Sequence, residues 1–282
     1  MIITNKQNLP EALVNVIKDG LYEPNPDTYS VTTLLNPVRN ILLQRRHYNE
    51  IEQDANEMMN MLIGTAIHSL IEKMDNTGFS EMYLKYGKLT GKCDLYDAEH
   101  SELVDYKTAT TWKIIHQDFE DWKKQGLMYA WLLAQNNYYV NKLKFHAILK
   151  DWSPREAKKD SNYPQSQVYT WEYKVFPADM VQIEMFIRNK INELELLKNT
   201  PDDDLPACPD QDCWYTGDKF AVYKVTGQAK ANRVLDTEEE AHEYITNKLN
   251  GVGIIEYRKG EYRKCQDYCN VCKWCKYYKE RK

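Results

Sequence analysis

The sequence predicts an α/β protein that ends in a small cysteine-rich unit. Segments with helical and with strand periodicity alternate through residues 31–198. A stretch rich in Asp and Pro follows at residues 199–209 and is typical of a domain boundary. Six of the seven Cys residues lie after position 207. We therefore predict an N-terminal lead-in at residues 1–30, a core at residues 31–198 and a Cys-rich C-terminal subdomain at residues 199–282.

The composition is that of a folded protein, with 43% hydrophobic residues, 21 Tyr and 7 Trp in 282 residues. It contains no long apolar run and no secretory signal pattern at its start, so we expect a cytoplasmic protein with no membrane partner. The net charge of -5 argues against a protein that coats nucleic acid over its whole surface. Residues 258–282, however, hold nine Lys and Arg against three Asp and Glu. This tail suits a local contact with phosphates, or it is a solvated charged surface.

Two helices are predicted before the first strands of the core. Residues 1–30 predict a loosely structured segment or a short helix, and residues 30–46 and 54–74 then have helical character. In the second helix, apolar side chains at helical spacing predict one packed face. Its members are Met59, Ile63, Ala66, Ile67, Leu70 and Met74. His68 lies on the opposite side of the same helix.

The rest of the core alternates strands with helices. Residues 88–96 and 102–108 predict a hairpin, because turn-forming residues separate two strand-like runs. The remaining predicted elements are a helix at 118–135, strands at 143–150 and 167–176, and a helix from Pro177 to about residue 197. In the C-terminal unit, strands are predicted at 220–226 and 253–258. Between them, Thr237 and Glu240 have the spacing of a helix capping box.

Two carboxylates and a lysine lie on the predicted hairpin. Strand periodicity places Asp105 and Lys107 on one face of the second strand, and the hairpin brings Asp94 of the first strand towards them. Two convergent carboxylates are typical of a site for a hard cation such as Mg²⁺ or Mn²⁺. Such a cation offsets charge on phosphoryl oxygens during phosphodiester hydrolysis, and a neighbouring Lys can activate the attacking water. The alternative is an ordinary charged pair on a solvent-facing strand.

Four short motifs extend this pattern. They are GTAIH at residues 64–68, GKCDLYD at residues 91–97, ELVDYKT at residues 102–108, and Gln125 with Tyr129 one helical turn apart. In this order they resemble the PD-(D/E)XK nuclease superfamily, and specifically its RecB-like branch. The resemblance covers roughly residues 30–150.

The resemblance implies a restriction-endonuclease-like core, with a mixed sheet flanked by helices. It also implies that Mg²⁺ or Mn²⁺ is held by His68, Asp94, Asp105 and the backbone carbonyl of Tyr106. Lys107 would serve catalysis, and Gln125 and Tyr129 would line the cleft. From the residues alone, His68 could instead be simply exposed to solvent, and Gln125 could be a partly buried surface amide.

The function implied is a Mg²⁺-dependent DNA nuclease, expected to act as an exonuclease or end-processing enzyme on single-stranded or frayed DNA. The sequence holds no Walker A motif, so a helicase, a single-strand-binding protein or a recombination protein is the expected protein partner. Two alternatives stay open. One is a catalytically silent DNA-binding fold, and the other is a scaffold subunit of a recombination or CRISPR-adaptation assembly.

The Cys-rich tail predicts a second metal centre, because thiols stay reduced inside cells and ligate metal more often than they pair. It is similar to the C-termini of AddB-type and CRISPR-adaptation nucleases and of phage-encoded RecB-like exonucleases, which implies a 4Fe-4S cluster and a phage or bacterial host cytoplasm. Structural Zn²⁺ and unligated thiols are the alternatives. The preferred ligands are Cys208, Cys265, Cys269 and Cys275, with Cys213 and Cys272 as alternates. Cys93 is expected to be a small buried hydrophobe.

Overall fold

The computed structural model describes residues 1–74 and 79–281, and it divides into two compact units, Met1–Pro201 and Asp202–Lys282. The helices of the first unit are α1 (Glu11–Asp19), α2 (Val31–Leu34), α3 (Val38–Arg46), α4 (Met59–Met74), α5 (Thr111–Ile115), α6 (Glu120–Gln135), α7 (Pro154–Lys159) and α8 (Pro177–Leu197). Its strands are β1 (Ile2–Thr4), β2 (Tyr29–Ser30), β3 (Glu52–Asp54), β4 (Phe79–Tyr86), β5 (Leu89–Asp97), β6 (Glu102–Ala109), β7 (Lys142–Leu149) and β8 (Val168–Lys174). Within the described residues, none of the helices has the length and apolar character needed to cross a membrane.

The main sheet of the first unit has the strand order β2-β5-β6-β7-β8, and β4 also pairs with β5. The β5–β6 pair is antiparallel, which confirms the predicted hairpin, whereas β6 and β7 run parallel and β7 and β8 antiparallel. Helices cover both faces. Gly126 of α6 approaches Phe145, the partner of Asp105 in the neighbouring strand, so α6 lies on the face of Asp105. Gly64 of α4 lies near Thr108, and the Thr108 side chain points to the opposite face of β6. The predicted α/β class, with a mixed sheet flanked by helices, is confirmed.

Strand β5 is the branching point of this sheet. One edge pairs with β4 along almost its whole length. Along the other edge, β2 pairs with Leu89 and Thr90, and β6 pairs with residues 95–97. In the described chain the two pairings leave a gap at residues 91–94 on that edge. We call this gap the fork.

Residues 1–30 are more ordered than a loose lead-in. Strand β1 pairs in parallel with β3, and Val14 and Ile17 of α1 are buried against Ala55 and Met58. The short-helix alternative is thus correct, although the strand is not predicted by periodicity. Three residues are too few to show an alternating pattern.

The predicted packed face of α4 is wrong. Leu70 and Met74 are 64% and 81% exposed, and Ile63 is 42% exposed. Met59 and Leu62, in the first turn, meet the cluster formed by α1. Farther along, the side of α4 that carries Gly64 and His68 lies against the sheet, whereas Ile63, Leu70 and Met74 are exposed among the described residues.

Helix α8 matches its predicted bounds, Pro177–Leu197. Proline suits the first helical position because its missing N–H has no partner there. Ile183, Ile187 and Leu194 are buried, as their spacing predicts. The helix predicted at residues 30–46 is divided into α2 and α3, because Pro37 removes an N–H that a continuous helix would need.

Glu102, the first residue of β6, forms a buried charge cluster. Its carboxylate is 7% exposed and lies 2.6 Å from Lys142 Nζ, while Lys144 contacts its other oxygen. Burial alone would raise the pKa of Glu102, but the hydrogen bonds from both lysines outweigh it and hold the pKa below its ordinary value. Glu172 faces the same lysines at 3.6 Å, with a side chain 48% exposed.

The second unit is a three-stranded antiparallel sheet with one helix packed on it. Its strands are β9 (Lys219–Tyr223), β10 (Arg233–Leu235) and β11 (Ile254–Arg258), in the order β10-β9-β11, and its helices are α9 (Glu238–Lys248), α10 (Arg263–Asp267) and α11 (Lys276–Arg281). Thr237 caps α9 by accepting a hydrogen bond from Glu240 N at 3.2 Å, as its spacing predicts. Val222, Ala241 and Ile245 form the small core.

Candidate active site

Asp105 and Lys107 project from the same face of β6. Lys107 Nζ lies 2.7 Å from Asp105 Oδ2, with the two side chains 19% and 7% exposed. Burial raises the pKa of Asp105 to about 6, and the Lys107 ammonium opposes this rise. The pair is therefore a nearly dry carboxylate with a cation beside it, as strand alternation predicts.

Asp94 lies in the fork and contacts two neighbours. Its Oδ2 accepts a hydrogen bond from Tyr106 N at 2.9 Å and lies 3.2 Å from His68 Nδ1 of α4. The carboxylate thus satisfies a backbone N–H at the point where β5 and β6 separate. The hydrogen bond to Asp94 raises the pKa of His68, against the lowering effect of burial. His68 thus lies beside the carboxylates and is not simply exposed to solvent; its side chain is 29% exposed.

Tyr129 of α6 completes the group. It is 6% exposed, and burial raises the pKa of its hydroxyl above the ordinary value. The nearby Asp105 and Asp94 carboxylates raise this pKa further, whereas a hydrogen bond with Gln125 lowers it. His68, Asp94, Asp105, Lys107, Gln125 and Tyr129 are thus brought into one neighbourhood, while their catalytic and ligand roles stay predictions.

Two glycines, Gly91 at the start of the GKCDLYD motif and Gly126 of α6, allow this neighbourhood to form. A Cβ on Gly91 would come 2.7 Å from Tyr129 Cε1, and a Cβ on Gly126 would come 2.8 Å from Leu143 Cδ1. Both glycines therefore let α6 lie close to the sheet. An isolated glycine inside a strand or helix pattern is the signal that could have found them.

The oxygen atoms of Asp94 and Asp105 are candidate ligands for a divalent cation. Asp105 Oδ2 is buried, and among the described residues no group gives it a hydrogen bond of ordinary geometry, although Lys107 is close. A buried carboxylate oxygen with an unused lone pair is a ligand that Mg²⁺ or Mn²⁺ prefers. In residues 1–74 and 79–281, however, no three His, Cys, Asp or Glu side chains are spaced to hold a metal ion. The two carboxylates thus fit such an ion chemically, and the wider ligand set stays a prediction.

Five of the six C-terminal thiols lie near one another, although among the described residues no three of them are spaced to hold a metal ion. Cys213 is in hydrogen-bond contact with Cys208 and with Cys265, and Cys269 and Cys275 act electrostatically on Cys208. Cys272 is linked to Cys269 and Cys275 through backbone hydrogen bonds of 3.3 and 3.1 Å. Cys213, an alternate in the sequence prediction, therefore lies at the centre of the group. These five residues are called the thiol cluster below.

Charge is distributed unevenly within the thiol cluster. Hydrogen bonds from Cys208 and Cys265, together with the Arg281 guanidinium 3.6 Å from Cys213 Sγ, lower the pKa of Cys213 to about 6. The contact with Cys213 raises the pKa of Cys208. Cys93, far from this tail in sequence, is 2% exposed in β5, and burial raises its pKa to about 11, as suits a small buried hydrophobe.

No protein-family model matches the sequence, and no curated protein is significantly similar to it. Solved structures that are similar at low identity include three proteins. The protein SSO0001 matches at 17% identity and a TM-score of 0.45, covering 73% of this chain and 88% of its own. A phage-related exonuclease from Haemophilus somnus 129PT matches at 12% identity and a TM-score of 0.32, covering 66% of this chain and 81% of its own.

The third is an alkaline exonuclease from Laribacter hongkongensis, LHK-Exo, at 12% identity and a TM-score of 0.38, covering 60% of this chain and 89% of its own. LHK-Exo has also been solved in complex with dAMP. At TM-scores below 0.5, none of these likenesses decides the fold or the reaction of this chain.

Proposed function

We propose that this chain is a DNA nuclease that hydrolyses phosphodiester bonds with the help of Mg²⁺ or Mn²⁺, and that it works on single-stranded or frayed ends. The observation that carries the proposal is the meeting of Asp94, Asp105 and Lys107 at the fork, in the residue pattern of PD-(D/E)XK nucleases. A protein partner that opens the duplex, such as a helicase, belongs to the same proposal.

The resemblance to PD-(D/E)XK nucleases implies a role for each of these residues. Asp94 and Asp105 would hold the cation, with His68 and the Tyr106 carbonyl as further ligands; when bound, the ion offsets charge on the phosphate and lowers the pKa of water. Lys107, whose ammonium lies beside Asp105, would orient the attacking water; to accept the water's proton it must first give up its own and stand as the neutral amine. Gln125 and Tyr129, which are hydrogen-bonded to each other near Asp105, would line the cleft.

The experiment is degradation of end-labelled linear single-stranded and double-stranded DNA, and of circular DNA, with Mg²⁺ or Mn²⁺. Lys107→Ala should lower the rate by about two to four orders of magnitude if Lys107 activates the water. Lys113→Ala is the matched control, because Lys113 has a side chain 17% exposed and lies 2.7 Å from Asp121. Its rate should equal that of the unaltered protein.

Two results would contradict the proposal. If folded Lys107→Ala, judged by circular dichroism, cuts as fast as the unaltered protein, Lys107 has no catalytic role. If the unaltered protein binds DNA but cuts none of the substrates, the DNA-binding or scaffold alternative holds instead. Loss of cleavage on adding EDTA, with recovery in excess Mg²⁺, is expected.

The thiol cluster carries a second part of the proposal, a metal centre in the C-terminal unit. Its thiols would lose their protons on binding, and Cys213 already has a lowered pKa beside Arg281. We infer a 4Fe-4S cluster or Zn²⁺ held by four of the five thiols, with Cys272 outside the set. The preferred four remain Cys208, Cys265, Cys269 and Cys275, with Cys213 as the alternate that the contacts favour.

A further inference from the structure

Strand β4 carries three exposed aromatic side chains, of which Tyr83 is the most exposed. Tyr83 is 67% exposed, and among the described residues it makes no hydrogen bond or ring contact. Its neighbours on β4 differ. Phe79 lies 6.0 Å from the Tyr138 ring, and Tyr86 meets Trp131 edge-on at 5.4 Å, so both rings have partners within the fold.

Strand register places Tyr83 next to Asp94. Tyr83 pairs directly with Lys92 in the antiparallel β4–β5 ladder. Residues two apart on a strand share a face, so Lys92 and Asp94 lie on the same side of β5 as Tyr83. Tyr83 is then the diagonal neighbour of Asp94, at a typical separation of roughly 7–8 Å between Cα atoms. A substrate held at Asp94 would therefore pass over this ring.

Two exposed lysines lie near Tyr83. Lys92 and Lys85 are exposed, and Lys85 is the next residue on the same face of β4. An accessible ring between lysines is the pattern with which proteins hold single-stranded nucleic acid, since the ring stacks on a base and the ammonium groups contact phosphates. Bases inside a duplex already stack on each other, so only an unpaired strand could use the ring.

We propose that Tyr83, with Lys92 and Lys85, forms a stacking platform for an unpaired DNA strand that leads into the site at Asp94. This inference rests on the proposed nuclease function and assigns the binding of its single-stranded ends to one surface. Tyr83 is a positioning residue in this scheme. Its ring fixes where the strand lies and takes no part in the chemistry.

The test is binding of a fluorescein-labelled single-stranded oligodeoxynucleotide, followed by anisotropy in EDTA to prevent cleavage. A matching oligonucleotide that lacks all its bases is the second probe. Tyr83→Ala should raise the Kd for the normal strand by about 5- to 150-fold, the range expected for the loss of one stacked base. For the baseless strand its Kd should stay within about twofold of the unaltered protein.

Two further variants make the result specific. Tyr83→Phe keeps the ring and should bind like the unaltered protein. Tyr22→Ala removes a ring of equal exposure, 68%, from another part of the same unit and should also bind like the unaltered protein.

The inference is overturned if Tyr83→Ala binds the normal strand as tightly as the unaltered protein, or loses affinity equally for both probes. In that case the proposed nuclease function would stand whenever the unaltered protein still binds and cuts DNA. If the unaltered protein neither binds nor cuts DNA, both proposals fail together.

Discussion

Replacing Gly91 by alanine should disturb the site through packing alone. The added Cβ would lie 2.7 Å from Tyr129 Cε1, 3.0 Å from Val31 Cγ2 and 3.2 Å from Leu132 Cδ2. Ordinary contact begins near 3.4 Å, so the Tyr129 ring must retreat by about 0.7 Å. Tyr129 is 6% exposed and Val31 and Leu132 are fully buried, so the ring has little space to enter.

Overpacking of this kind costs about 1–3 kcal/mol of the free energy of unfolding. For a unit of this size, the melting temperature should fall by about 2–12 °C, measured by circular dichroism or calorimetry. Because a displacement of about 1 Å near reacting groups can cost up to a hundredfold in rate, DNA cleavage should also slow. Gly64→Ala is the control, since its Cβ would meet Thr108 at an ordinary 3.5 Å and alanine favours the helix.

A double variant decides whether the Tyr129 ring is the cause. Tyr129→Leu removes Cε1, so Gly91→Ala should cost less stability in that background than alone. Additive losses in the double variant would show that the effect arises elsewhere. A melting temperature of Gly91→Ala equal to that of the unaltered protein would refute the reasoning outright.

Two other changes test the charge cluster and the C-terminal unit. Glu102→Gln should lower stability at pH 7 by about 1–3 kcal/mol in urea unfolding, against about 0–1 kcal/mol for exposed Glu172→Gln. The folded-state pKa of Glu102 is depressed, so its contribution to the free energy of unfolding is present above the unfolded pKa of about 4.3. That contribution is lost as the pH falls through the lower folded-state pKa. If the stability difference between Glu102→Gln and the unaltered protein stayed the same below pH ~3, this reasoning would be contradicted. Cys208→Ser should reduce the amount of bound iron or zinc, measured by elemental analysis and visible absorption, whereas Cys272→Ser should not. If both variants lost the same amount of metal, the proposed ligand set would be ruled out.

The sequence predicts most of the core because its signals are local. Alternation in residues 102–108 places Asp105 and Lys107 on one face, and helical spacing buries Ile183, Ile187 and Leu194. The fork could not be predicted in the same way. It arises because β2 and β6, far apart in sequence, pair with different ends of β5.

The apolar side of α4 shows the opposite failure. Periodicity identifies which residues share a side of a helix, but it does not say whether anything covers that side. Leu70 and Met74 have the right spacing and remain exposed. Strand β4 is missed for a related reason, since aromatic and charged residues outside the core leave no clear alternation in residues 79–86.

The fork affects how an inactive form of this protein should be prepared. Asp94 has a structural role there, because its carboxylate accepts the hydrogen bond from Tyr106 N that a neighbouring strand would otherwise accept. Replacing Asp94 would destabilise the junction of β5 and β6 and would also remove any catalytic role of its carboxylate. A loss of activity in an Asp94 variant would therefore combine two effects. Lys107 makes no such main-chain contact among the described residues. Lys107 is therefore the better position for an inactivating substitution, because the variant would keep the fold that binds the substrate.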